Sequence, residues 1–271
     1  MIQDHDSPTE RTVIRVTLIV SVISNLGLVQ ASDSNVTRFG SPIASTDPKV
    51  FALDFAGGAL ALSGTYRVAG ERMDTWMRNC IADYSYDKGD EASLGGFADY
   101  LKWRLEEGLT PSEAQVATLM QIVGYVVGKE GAPHPELHFV RNAGGISDVT
   151  GGYQDVSPSF MVSEDYWNRD YHADHGNLGP WGYRSYFNGT PHGRIAFHQF
   201  GRHFRTFLES MWARPEWDFR GPETLDELAA LVELQIRTIA TLYKMSDYPA
   251  PYVGGEPQVM TIPPPPGAIE I

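Results

Sequence analysis

Apolar positions along this chain change their period several times, and each change predicts an element. From Thr17 to Ser34 the sequence reads TLIVSVISNLGLVQASDS, two stretches rich in β-branched residues on either side of Ser24-Asn25-Leu26-Gly27. Asn tolerates left-handed dihedrals and Gly adopts them at no steric cost, so the break predicts a turn and its flanks predict the strands of a hairpin. After a polar loop, Asn35 to Pro48, the run KVFALDFAGGALALSG predicts two more strands about a Gly57-Gly58 turn. Between Thr65 and Ala82 the period lengthens: Ala69, Met73, Trp76, Met77 and Cys80 recur at three and four residues and mark one face of a helix.

Leu101, Trp103 and Leu105 belong to a second helical region. It leads into TPSE, where Thr110 can cap, Pro111 fits the first helical position and Glu113 can reach back, predicting a helix to about Val127. Pro135 to Gly189 is β-rich and turn-rich, with ELHFV and YRSYFNG the clearest strands. A third helical stretch covers Gly193 to Trp212. A fourth lies within GPETLDELAALVELQIRTIATLYKM, opened by a Thr224 to Glu227 box and carrying Leu225, Leu228, Val232, Ile236 and Ile239 on one face. YVGGEPQVMTI predicts a last strand, and the prolines of PPPPGAIEI favour an extended arm. Strands, helices, strands, helices and a strand, without regular alternation, predict an α+β fold of antiparallel sheets covered by segregated helices. No GxGxxG or P-loop argues for a nucleotide-binding parallel sheet.

Composition narrows the function. With 271 residues and 42% apolar content, one globular unit with a sizeable core is expected. A net charge of -13 works against nucleic acid as a partner, because phosphate recognition needs clustered Lys and Arg. No run approaches the roughly 20 apolar residues of a membrane span, so no membrane partner is expected. The stretch ending at Val29-Gln30-Ala31 could pass for a secretory signal, but Asp4, Asp6 and Glu10 against Arg11 and Arg15 give its leading segment the wrong sign. A cytoplasmic protein is the expectation. Cys80, the one cysteine, falls on a helical apolar pattern and reads as a buried structural thiol.

The opening hairpin resembles that of the proteasome β-subunits and their bacterial relatives among the N-terminal nucleophile (Ntn) hydrolases. In that family a threonine starts the first strand, an acidic residue follows sixteen positions later and a lysine sixteen beyond that. Here the count from Thr17 gives Asp33 and then Lys49. KVFALD followed by ALALSG is similar to the family's lysine strand and to the strand ending in its oxyanion-hole glycine, which would be Gly64. VGGEPQVMTI is similar to its last strand. The resemblance covers about Thr17 to Ile262, with a longer and only loosely similar middle, and implies a four-layer αββα sandwich. It divides the chain into an extension (residues 1–16), an Ntn-like domain (17–262) and a Pro-rich tail (263–271).

The chemistry needs these residue types. A threonine hydroxyl is a poor nucleophile near neutral pH and requires a base as it attacks a carbonyl. A free α-amine, with a reference pKa of about 7.7 to 8.0, can serve if Thr17 becomes the first residue. The Lys49 ammonium would keep that amine neutral and stabilise developing negative charge, and Asp33 would hold the lysine. By the resemblance, the Gly64 N–H would receive the oxyanion, and Thr190, in Asn188-Gly189-Thr190, would echo the family's supporting hydroxyl. The reaction implied is hydrolysis of peptide or other amide bonds, without a cofactor, in a homo-oligomer.

Two departures shape the expectation. Sixteen residues precede Thr17, and Val16 stands where self-cleaving relatives usually have glycine. Either the bond before Thr17 is cut, or Val16 is the true start and an initiator methionine is trimmed from Thr17. Ahead of Gly254-Gly255, the places that hold aspartate and serine in full peptidases hold Ala250 and Val253, with Asp247 out of register. The rival reading is a catalytically silent Ntn-fold scaffold subunit that keeps its extension. A metal site among His172, His175, His192, His198 and His203, beside Asp170 and Asp174, is disfavoured because Gly176, Gly179 and Pro180 make that segment a loop. The aromatic and arginine-rich run YWNRDYHADHGNLGPWGYRSYF fits either an oligomer contact or a core loop.

Overall fold

A computed structural model of the chain describes residues 17–38, 41–43, 47–127, 131–144, 155–164, 183–189, 203–204, 206–211, 213–214, 216, 220–245 and 253–268. The opening stretch folds as the expected hairpin, β1 (Leu18–Ser24) and β2 (Gly27–Ser32), turning at Asn25-Leu26. The Ser24 hydroxyl closes the turn, donating to the Gly27 carbonyl (2.9 Å) and accepting from the Leu26 N–H (3.1 Å). Every residue of both strands is buried. A strand covered on one face would alternate apolar with polar, and one covered on both reads as a continuous apolar run. That is why this hairpin looks like the core of a signal peptide.

The other strands, in chain order, are β3 (Val36–Arg38), β4 (Ser41–Ile43), β5 (Val50–Leu53), β6 (Gly58–Ser63), β7 (Arg67–Val68), β8 (Glu71–Arg72), β9 (Leu119–Val127), β10 (Pro133–Arg141), β11 (Met161–Glu164), β12 (Tyr183–Gly189) and β13 (Gln258–Ile262). They form a four-stranded sheet, β12-β1-β2-β13, a five-stranded sheet, β11-β10-β9-β6-β5, and two small ribbons, β3-β4 and β7-β8. All pairings are antiparallel. The long described helices are α1 (Met73–Lys88), α2 (Leu94–Gly108) and α3 (Leu225–Lys244). None is long and apolar enough to cross a membrane.

Three apolar clusters hold these elements together. Leu18, Val20, Val22, Val29 and Ala31 of the hairpin pack with Leu228, Val232, Ile236 and Ile239 of α3. Phe51, Leu60, Met120 and Ile122 of the five-stranded sheet pack with Met77, Cys80, Phe97 and Leu101 of α1 and α2. The third cluster joins Ile23 and Leu28 of one sheet to Ala59, Val123, Leu137 and Phe139 of the other. Alternate residues of β1 thus serve different clusters, as the period of two in a strand requires. The architecture is α+β, with two antiparallel sheets and helices packed on them.

Three helical expectations change. The helix read from Thr110 to about Val127 is instead one 3-10 turn, Glu113–Gln115, and then β9. The capping box does form, with the Thr110 N–H on Glu113 Oε2 (2.9 Å) and the Glu113 N–H on Thr110 Oγ1 (3.4 Å). The segment beyond it, LMQIVGYVV, is taken up between β6 and β10, so sheet pairing overrides the start signal. The helix read from Thr65 begins only at Met73, because Arg67–Arg72 closes a ribbon through Ala69-Gly70, both at positive φ. In α2 the buried positions are Leu94, Phe97, Ala98, Leu101 and Leu105, while Trp103 is 51% exposed. The fourth helix starts as read, with Thr224 Oγ1 accepting from the Glu227 N–H (3.2 Å). Of the third helical stretch, residues 203–204 and 206–211 are helical, and 193–202 lie outside the described residues.

Cys80 is fully buried in the α1–α2 cluster, and burial pushes its thiol up to about 12. The ionised fraction at pH 8 is then on the order of one in ten thousand. Native protein should therefore leave an aromatic disulfide reagent untouched at pH 8 and take up one equivalent in denaturant; prompt native labelling would contradict this placement.

Candidate active site

The hairpin register builds the first half of the site. Pairing of Ile19 with Ser32 and Ser24 with Gly27 sets Leu18 beside Asp33. Their main chains touch, the Asp33 N–H donating to the Leu18 carbonyl (3.1 Å). The Asp33 side chain turns back on the same place and accepts from the Leu18 N–H (2.9 Å). A spacing of sixteen between Thr17 and Asp33 is thus what a tight two-residue turn on strands of this length produces.

Lys49 arrives from the other sheet, immediately before β5, with its carbonyl accepting from the Leu62 N–H of β6 (3.0 Å). Its Nζ donates to Thr17 Oγ1 at 2.9 Å, to Asp33 Oδ1 at 3.3 Å and to the Asn35 carbonyl at 2.6 Å. An ammonium has three N–H donors, and these three acceptors match them. Thr17, Asp33 and Lys49 are only 3%, 0% and 6% exposed, so the contacts act in a medium that screens charge poorly.

Asp33 is held by more than its lysine. Oδ2 accepts from the N–H groups of Asn35 (3.2 Å) and Gly254 (3.1 Å). The Gly254 carbonyl in turn accepts from the N–H groups of Ser34 (3.2 Å) and Asn35 (2.9 Å). Burial pushes the Asp33 carboxyl above the ordinary carboxylate range, while the Lys49 charge and the N–H groups of Leu18 and Gly254 pull it back. Its two oxygens accept from three main-chain N–H groups and an ammonium, a set that the ionised carboxylate satisfies best.

Gly64 comes directly after β6 at the Lys49 end of that strand, two residues beyond Leu62. Its φ is +126°, and a Cβ there would lie 2.4 Å from the Thr118 Cα, so no other residue fits. The next peptide is fixed by the Thr65 N–H on Thr118 Oγ1 (3.1 Å), and Thr118 by its own N–H on Asn142 Oδ1 (2.7 Å). Gly189 lies opposite Leu18 at the end of β12, and a Cβ on it would meet the Thr17 carbonyl oxygen at 1.8 Å. Thr190 lies outside the described residues, as do His172, His175, His192 and His198. His203 is exposed, and among the described residues no group of three or more His, Cys, Asp or Glu could hold a metal.

The structure therefore brings Thr17, Asp33 and Lys49 into direct contact and sets Gly64 at the same end of the five-stranded sheet as Lys49. It adds four groups that the spacing rule did not name: the Leu18, Asn35 and Gly254 N–H groups on Asp33 and the Asn35 carbonyl on Lys49. Only the Gly254-Gly255 pair left a sequence signal, because main-chain ligands can be supplied by any residue type. A search of protein-family models finds none that matches this chain, and a search of curated proteins finds no match.

Breaking one side of a buried ion pair strands the other charge. Lys49→Met and Asp33→Asn should each destabilise the fold by about 3–5 kcal/mol. The double variant should lose less than the sum by about 1 kcal/mol or more. Urea titration of the four proteins measures this coupling, and strict additivity would contradict the pairing.

Proposed function

We propose that this protein is a threonine hydrolase of the Ntn type, similar in design to proteasome β-subunits, that cleaves peptide or other amide bonds with Thr17 as first residue. The observation that carries the reading is the Lys49 Nζ, held by Asp33 at 3.3 Å and donating to Thr17 Oγ1 at 2.9 Å in a buried setting. The three apolar clusters, with α1 and α2 against one sheet, α3 against the other and a third cluster between them, support the four-layer αββα arrangement.

In this reading Thr17 Oγ1 attacks the substrate carbonyl carbon while its proton passes to the Thr17 α-amine. Lys49 stabilises the hydroxyl oxygen as charge gathers there, and the Gly64 N–H receives the carbonyl oxygen. The C–N bond breaks, the leaving amine takes the proton, and water then hydrolyses the Thr17 ester to restore the hydroxyl. An amide nitrogen at Thr17 cannot accept that proton, so removal of residues 1–16 is the activating step. An acidic protein with no cofactor, a peptide-class substrate and assembly into homo-oligomers complete the proposal, with Thr190 as a supporting hydroxyl.

A second reading, a silent Ntn-fold scaffold subunit that keeps its extension, draws on the 3% exposure of Thr17, which leaves little room for a substrate. The two separate experimentally. Protein from its native cell, sequenced from its N-terminus, should begin at Thr17 and hydrolyse fluorogenic peptide amides. Thr17→Ala should lower kcat by at least about a thousandfold and Thr17→Ser should keep measurable turnover. Native protein that retains residues 1–16 and cleaves nothing would favour the scaffold.

A further inference from the structure

Lys49 must be delivered to Thr17 from a different sheet, and β5 lies at one edge of that sheet. An edge strand pairs on one side only, so sheet pairing constrains its main chain less than that of an inner strand. The segment carrying Lys49 is nevertheless tied down, and one side chain makes three of the ties. Gln258, the first residue of β13, lies opposite Ser32, the residue before Asp33. Its Oε1 accepts from the Lys49 N–H at 2.7 Å and from the Val50 N–H at 3.3 Å, while its Nε2 donates to the Asp47 carbonyl at 3.0 Å. One primary amide thus holds three main-chain groups within four residues.

We propose that Gln258 is a positioning residue that sets the Lys49 ammonium on Thr17 Oγ1, an inference that rests on the hydrolase reading. Gln258 is fixed on the sheet that carries Thr17 and Asp33, and its amide grips the main chain of the residue that completes the site. The two halves are joined at the point where their relative placement decides the Lys49–Thr17 distance. The Asp47 side chain is also held, by Arg72 at the start of α1, so the segment is tied to α1 on one side and to β13 on the other. Glutamine suits the task because it offers an acceptor and a donor on one planar group without adding charge beside the Lys49–Asp33 pair. Glutamate would keep the acceptor but set a second oxygen against the Asp47 carbonyl, and methionine would keep the length and lose every bond.

The test uses Gln258→Met in the full chain, followed by NMR of carbon-13-labelled lysine side chains, with the Lys49 signal assigned by its loss in Lys49→Met. The Lys49 Cε signal, set apart in the parent by Asp33 and Thr17, should move to the position of exposed lysines while urea titration shows a folded protein. In protein that begins at Thr17, kcat should fall roughly ten- to a hundredfold with KM held within about twofold, as expected for an ångström-scale misplacement of a group that acts on the attacking oxygen. An unmoved Lys49 signal with unchanged kcat would overturn the proposal. If the parent hydrolyses nothing while the Lys49 signal still moves, Gln258 holds Lys49 and it is the hydrolase reading that falls. Should Gln258→Met not fold, Gln258→Glu decides the matter by the same two measurements, with a smaller movement and a smaller fall in kcat expected.

Discussion

The ion pair between Lys49 and Asp33 is the constraint on which the rest of this structure turns. Both groups are buried, and taking two such charges out of water costs several kcal/mol per ion before any attraction is counted. The fold meets that cost with main chain: Leu18, Asn35 and Gly254 donate to the carboxylate, and the Asn35 carbonyl shares the ammonium. A hydrophobic pair of the same volume would hold the sheets as well or better, by about 1–4 kcal/mol. Packing alone therefore does not account for the pair. What it does that an apolar pair could not is deliver a proton donor to Thr17 Oγ1 at 2.9 Å.

Much of the surrounding structure serves that delivery. The hairpin must hold register so that Asp33 returns to Leu18, and a slip of one residue would turn Asp33 to the other face. Burial on both faces secures this, since α3 covers one side of β1 and β2 and the five-stranded sheet covers the other. At the ends of the strands, Gly189 presses on the Thr17 carbonyl and Gly255, at φ +73°, lies against Ser34, so main chain closes the site where side chains would not fit.

Legibility in the sequence tracks how local each determinant is. The β1–β2 turn and the Thr224 cap are short-range features that appear in the structure as read, and Thr17, Asp33 and Lys49, picked out by their spacing, lie in contact. β9 reads as a helix in the sequence because Thr110 and Glu113 do form a box, and only pairing with residues 58–63 and 133–141 makes its continuation a strand. Gly254 acts through main-chain N–H and C=O groups on residues more than two hundred positions away, and only its place in the Gly254-Gly255 pair marks it in the sequence; Gln258 acts over a similar span through its side-chain amide, and local pattern carries no trace of that role. The same holds for Thr118 and Asn142, whose contacts with each other and with Thr65 link the ends of β6, β9 and β10.

If the pair exists to ready a nucleophile, the threonine it touches should be the most reactive hydroxyl in the protein once its nitrogen is free. Treating protein that begins at Thr17 with a threonine-directed electrophile and mapping the adduct by peptide mass spectrometry tests this directly. A single adduct is expected, on Thr17, and it should be lost in Lys49→Met. Thr17 left unmodified while standing first in the chain, or labelled equally well without Lys49, would contradict that role for the pair.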